Sequence, residues 1–71
     1  MAKRTADDFT EAEYGQLAEV ARGVYWARSL FHAALDVVHQ NYPTMDVAEQ
    51  ERLARRVAAL ARAQMHRERS P

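Results

Sequence analysis

The chain has 71 residues, no cysteine, and ten basic side chains balanced by ten acidic ones. So short a chain forms one domain that buries only about 60% of the surface of its unfolded form, and without cysteine no disulfide can staple it. The balanced charge argues against binding of nucleic acid or anionic membrane by bulk charge.

The N-terminal region consists of polar residues of both charge signs, and we expect residues 1–9 to be flexible. A helix start follows at once. Thr10 and Glu13 have the spacing of a capping box, and Phe9 and Tyr14 occupy the two positions of a hydrophobic staple. The sequence therefore predicts a first helix that begins at Thr10 and, from its apolar period, continues over residues 10–41.

Two rows of apolar residues run along this predicted helix, at helical steps of three and four residues. The first row comprises Val20, Val24, Ala27, Phe31, Ala34 and Val38. The second row comprises Gly23, Trp26, Leu30, Ala33 and Val37. A two-helix hairpin buries only one such row, so we expect the second row to contact a second copy of the chain or a different protein.

The second predicted helix follows a tight turn at residues 42–45, where Pro43 disfavours helical geometry at Tyr42. It covers residues 46–67, starts with a second capping box formed by Asp46 and Glu49, and leaves residues 68–71 as a frayed tail. Its core seam comprises Gln50, Leu53, Val57, Leu60 and Gln64.

A short connection makes consecutive helices antiparallel, so the acidic residues within 7–19 are expected near Arg62, Arg67 and Arg69. The predicted fold is all-α. It is an antiparallel hairpin of two long helices in a single helical domain, residues 1–71, which dimerises into a four-helix bundle.

A basic stripe follows the solvent side of the second helix. It comprises Arg52, Arg55, Arg62, His66 and Arg69, and it extends over roughly 25 Å by helical rise. A stripe of this length can contact several phosphates or an acidic groove on a protein. The alternative is an ordinary solvated face whose arginines pair with nearby glutamates.

Few residues offer catalytic or metal chemistry. His32, Asp36 and His39 share one helix face with a spacing that can bind a transition metal, but this face points into solvent, and we predict no metal site. Ser29 has no histidine placed as a base on its own face, and no glycine-rich phosphate loop occurs. We therefore predict neither an enzyme nor a cofactor.

The sequence as a whole predicts a small, non-catalytic protein-binding regulator that acts as a homodimer and serves as an adaptor or inhibitor of a larger protein. The alternative is a nucleic-acid-binding regulator that uses the basic stripe. No apolar stretch is long enough for a signal peptide or a membrane span, so we expect a cytoplasmic protein without membrane contact.

Overall fold

The computed structural model describes residues 4–24 and 29–69, except for the side chain of Arg69. In this part of the chain there are three α-helices and no strand. Helix α1 spans Glu11–Val24, α2 spans Leu30–Asn41, and α3 spans Val47–Arg69. The predicted all-α class is confirmed.

In the described part of the region predicted as one helix, residues 10–41, there are two helices. Ser29 has extended backbone angles (φ −65°, ψ 153°), and its Oγ accepts a hydrogen bond of 3.2 Å from the backbone N–H of His32. Ser29 is therefore the N-cap of a new helix, α2. The described residues thus form three helices in place of the predicted two, and Trp26 lies outside them.

Helices α1 and α3 run in the same direction. Arg22, near the end of α1, donates a 3.0 Å hydrogen bond to Gln64 of α3, and the Arg56 guanidinium lies 4.1 Å from the centre of the Tyr14 ring. Both pairs are 42 residues apart, so the register between the two helices is constant.

Helix α2 runs in the opposite direction, because the short turn after Asn41 reverses the chain. Gln50, in the first turn of α3, donates a 2.8 Å hydrogen bond to the carbonyl oxygen of Tyr42 at the C-cap of α2. The acidic start of the chain therefore lies beside the first half of α3. The prediction that placed it near Arg62 and Arg67 assumed a hairpin, and the extra reversal at α2 overturns it.

The start of α1 has the predicted capping box. Thr10 donates its backbone N–H to Glu13 Oε1 at 2.9 Å, and Glu13 donates its backbone N–H to Thr10 Oγ1 at 3.2 Å. The staple is confirmed too, since the ring centres of Phe9 and Tyr14 are 5.9 Å apart. Two of the N–H groups that a helix start leaves unpaired are thus satisfied locally.

The core lies where all three helices meet. Its largest fully buried side chains are Leu53, Val57 and Val38. Gln50 is buried as well, whereas Leu60 and Gln64 of the predicted seam are only half-buried. The remaining buried positions are mostly small: Ala18, Ala21, Ala34, Ala54, Ala58 and Ala61. Small residues at these positions let the helices approach closely.

Residues 4–9, which were expected to be flexible, fold back over one end of the helices, and we call them the N-terminal strap. Ala6 and Phe9 are buried at 3% and 8% exposure. The Phe9 ring packs edge-on against Tyr42, with 5.1 Å between the ring centres. The strap is therefore part of the hydrophobic core, because its residues cover aromatic side chains that the three helices alone would leave exposed to solvent.

Candidate interaction surfaces

The predicted interface row is largely enclosed within the single chain. Leu30, Ala33 and Val37 retain only 5%, 4% and 3% exposure. The break before α2 lets this helix pack against both α1 and α3, so both apolar rows of α2 find neighbours in the same molecule. The reason for expecting a second copy on these three residues, an uncovered apolar row, no longer applies to them.

Gly23 differs from the rest of that row. It is exposed at the end of α1, and a Cβ atom added to it would meet nothing within 4 Å. Next to it, Val24 is 48% exposed and Val20 is 51% exposed. The prediction that these two valines are buried is wrong, because α1 buries Tyr14, Leu17, Ala18 and Ala21 instead. We call Val20, Gly23 and Val24 the valine face.

The basic stripe lies on the solvent side of α3, as predicted. Arg52, Arg55, Arg62 and His66 are all exposed, and the exposed residues Ala59 and Ala63 lie among them. We call Arg55, Ala59, Arg62, Ala63 and His66 the outer face of α3. The guanidinium of Arg55 reaches towards α2, where it lies 5.9 Å from the Phe31 ring centre. The side chain of Arg69, the last residue predicted for the stripe, lies outside the described residues.

Arg52 is occupied by two carboxylates of its own chain. Its Nη1 lies 2.9 Å from Glu49 Oε2, and its Nη2 lies 3.0 Å from Asp7 Oδ2. These hydrogen bonds, to Glu49 first and then to Asp7, hold the pKa of the Arg52 guanidinium above its ordinary value. The positive charge of Arg52 is therefore partly offset within the molecule, and the stripe is less basic than its sequence indicates.

Asp7 and Arg56, two of the residues around Arg52, were not among the predicted site residues. Asp7 also approaches Arg56, with 4.0 Å between its Oδ1 and Arg56 Nη1. Asp7 and Arg52 are 45 residues apart, so the helical period within one helix gives no sign of their contact. The only sequence signal for this contact was the acidic character of the residues before α1, together with the arginines of α3.

The strap is tied to the helices at several further points. Ala6 donates its backbone N–H to Glu49 Oε1 at 3.0 Å, and its carbonyl oxygen accepts a 2.6 Å hydrogen bond from the Tyr14 hydroxyl. Arg4 lies 4.0 Å from the centre of the Phe9 ring and donates a 2.9 Å hydrogen bond to Glu13. These contacts position Asp7 beside α3.

His32, Asp36 and His39 are exposed on α2, and the described residues contain no group of histidines and carboxylates that could hold a metal ion. The expectation that Ser29 has no histidine placed as a base is wrong, because His32 Nδ1 lies 2.6 Å from Ser29 Oγ. Both side chains are exposed, and the same hydroxyl caps α2. The contact thus follows from helix capping and does not form an enclosed site.

Across the described residues, no helix combines the length and the apolar character that crossing a bilayer requires. Comparison with known proteins yields no relative: no family model, no curated protein and no solved structure matches this chain.

Proposed function

We propose that this protein is a small, non-catalytic regulator in the cytoplasm that binds an acidic surface of another protein through the outer face of α3, as an adaptor or inhibitor. The observation that supports this proposal is the exposure of Arg55, Arg62 and His66 on one side of a helix of 23 residues. Ala59 and Ala63, which lie among these basic residues, have short side chains. A partner helix can therefore approach α3 closely while the arginines reach its carboxylates.

An acidic protein fits this surface better than nucleic acid does. Asp7 and Glu49 offset Arg52 at one end of the stripe. Non-specific nucleic-acid binding depends on several uncompensated cations that replace condensed counterions. The remaining basic residues are few, and the whole chain has no net charge. Nucleic-acid binding through Arg55 and Arg62 is the alternative.

The proposed regulator is a homodimer, and the valine face is the surface that we assign to the second copy. Val20 and Val24 are one helical turn apart and half exposed, and Gly23 beside them leaves room for another backbone. Light scattering should give about twice the chain mass of 8.1 kDa. Replacing Val20 and Val24 with aspartate should reduce the mass to that of one chain, and a dimer that survives this change would exclude the valine face.

The partner test compares two charge reversals on the same helix. Arg62→Glu changes the outer face of α3, whereas Arg67→Glu makes the same charge change beside Arg22 and Gln64, off that face. A protein captured from the source cells is purified and titrated against the parent and both variants. We expect Arg62→Glu to weaken binding and Arg67→Glu to bind like the parent.

Salt separates the two candidate functions. Binding to phosphates should weaken steeply with ionic strength, whereas a protein interface with close-packed alanines should depend on salt less. Titrations of the parent with a short RNA and with the captured protein, each over a salt series, decide between them. Tight, steeply salt-dependent RNA binding that Arg55→Glu and Arg62→Glu abolish would favour the nucleic-acid function.

A further inference from the structure

The carboxylate of Asp7 bridges two arginines of α3. One oxygen lies 3.0 Å from Arg52 Nη2, and the other lies 4.0 Å from Arg56 Nη1. Arg52 and Arg56 are four residues apart, so their side chains emerge from neighbouring turns on one side of the helix. The two guanidinium groups thus already hold a carboxylate, and that carboxylate comes from the strap of the same chain.

This intramolecular ion pair is open to solvent. The side chains of Asp7, Arg52 and Arg56 are 64%, 50% and 53% exposed. Ion pairs this exposed are weak, because water and salt screen them. A carboxylate from outside can therefore compete for the two arginines at small cost.

The strap itself does not depend on the Asp7 carboxylate. Its backbone is held at Ala6 by Glu49 and by the Tyr14 hydroxyl, and its Arg4 side chain is bound to Glu13. The Ala6 and Phe9 side chains of the strap are themselves buried. The Asp7 side chain can therefore rotate away from α3 while the rest of the strap stays in place.

We infer that Arg52 and Arg56 form a carboxylate-binding position for the acidic protein partner, and that Asp7 is a built-in competitor that limits its affinity. This inference rests on the proposed function and extends its surface by one helical turn towards the start of α3. The partner's carboxylate takes the position of the Asp7 carboxylate, and Arg55 and Arg62 contact the partner further along the helix.

The test is an NMR titration of the isotope-labelled full chain with a helical peptide that carries glutamate at every fourth position. Asp7→Asn removes the competitor and should raise the affinity about two- to fivefold, the range that one exposed ion pair can supply. Asp46→Asn is the matched control, because it changes the net charge equally near the start of α3 and asparagine is an equally good N-cap residue. We expect the control to bind like the parent.

Two further measurements make the result specific. The gain from Asp7→Asn should vanish when Arg52 and Arg56 are both replaced with glutamine, and the Ala6 amide should stay protected from hydrogen exchange in every variant. Equal affinity of the parent and Asp7→Asn, a gain that persists without the two arginines, or a gain that accompanies loss of Ala6 protection would overturn the inference.

The same titration separates failure of the inference from failure of the proposed function. Binding that Arg62→Glu weakens but Asp7→Asn leaves unchanged contradicts only the role of Asp7. No binding by either the parent or Asp7→Asn, with the fold intact, contradicts both the acidic partner and the competitor.

Discussion

Glu49 and Ala6 are joined by a 3.0 Å hydrogen bond although 43 residues separate them, and this bond ties the N-terminal strap to α3. The same carboxylate accepts two hydrogen bonds from Arg52. Glu49 was predicted to cap its own helix together with Asp46. It instead satisfies a backbone N–H group of a distant segment, which would otherwise be left without a partner near the core.

Acid should weaken the fold through Glu49 and Glu13. The Ala6 N–H, followed by Arg52, holds the pKa of Glu49 below its ordinary value, and the Thr10 N–H, followed by Arg4, does the same for Glu13. A lowered folded-state pKa stabilises the protein fully above the ordinary glutamate pKa of about 4.3. This stabilisation is lost as the pH falls through the lowered values.

Glu49→Gln should therefore make stability less dependent on pH below about 4.3, since glutamine does not titrate. Urea unfolding of the parent and the variant over a pH series measures this effect. Glu19→Gln, at an exposed position of α1, is the control and should keep the acid dependence of the parent. Identical pH profiles for the parent and Glu49→Gln would show that the strap contact does not contribute to acid unfolding.

Tyr14→Phe should destabilise the protein by about 1–3 kcal/mol, because it leaves the buried Ala6 carbonyl oxygen without the phenolic donor. Thermal denaturation followed by circular dichroism measures the change. Tyr42→Phe is the control, since the Tyr42 contacts described above involve its ring and its backbone carbonyl, which phenylalanine retains. An equal loss in both variants would mean that the Tyr14 hydroxyl has no special role.

Leu53→Ala should cost about 2–5 kcal/mol, because Leu53 is fully buried where the three helices meet and its truncation leaves a cavity. Val47→Ala removes apolar atoms from the start of the same helix, but Val47 is 68% exposed. Its effect should stay within about 0.5 kcal/mol. Urea denaturation of both variants decides the point, and a comparable loss in Val47→Ala would contradict the assignment of faces on α3.

Gly15→Ala should stabilise the protein by about 0.5–1 kcal/mol. Gly15 lies inside α1, its φ is not positive, and an added Cβ would meet nothing within 4 Å. Alanine therefore fits without strain and has less backbone entropy to lose on folding. A rise in the melting temperature checks this prediction, and a fall would mean that Gly15 contacts another molecule in solution, such as the second copy of the proposed dimer.

Local patterns predicted several features of this structure correctly. The capping box at Thr10, the staple between Phe9 and Tyr14 and the seam through Leu53 and Val57 depend on residues a few positions apart on one helix. The exposure of Arg55 and Arg62 on α3 also follows from the helical period. The sequence alone determines these features, because local backbone geometry sets which neighbouring side chains meet.

Only the tertiary structure decided where the first helical region ends and what covers its second apolar row. The helical period is the same for one long helix that needs a partner chain and for two short helices that cover each other. A capping serine such as Ser29 contributes about 1 kcal/mol, whereas burying a residue such as Leu30 or Val37 contributes about 1.5–3 kcal/mol. The cap and the packing therefore favour the same break before α2, and packing is the larger contribution. Once α2 reversed the chain, α1 became parallel to α3 and brought Asp7 to Arg52 and Ala6 to Glu49.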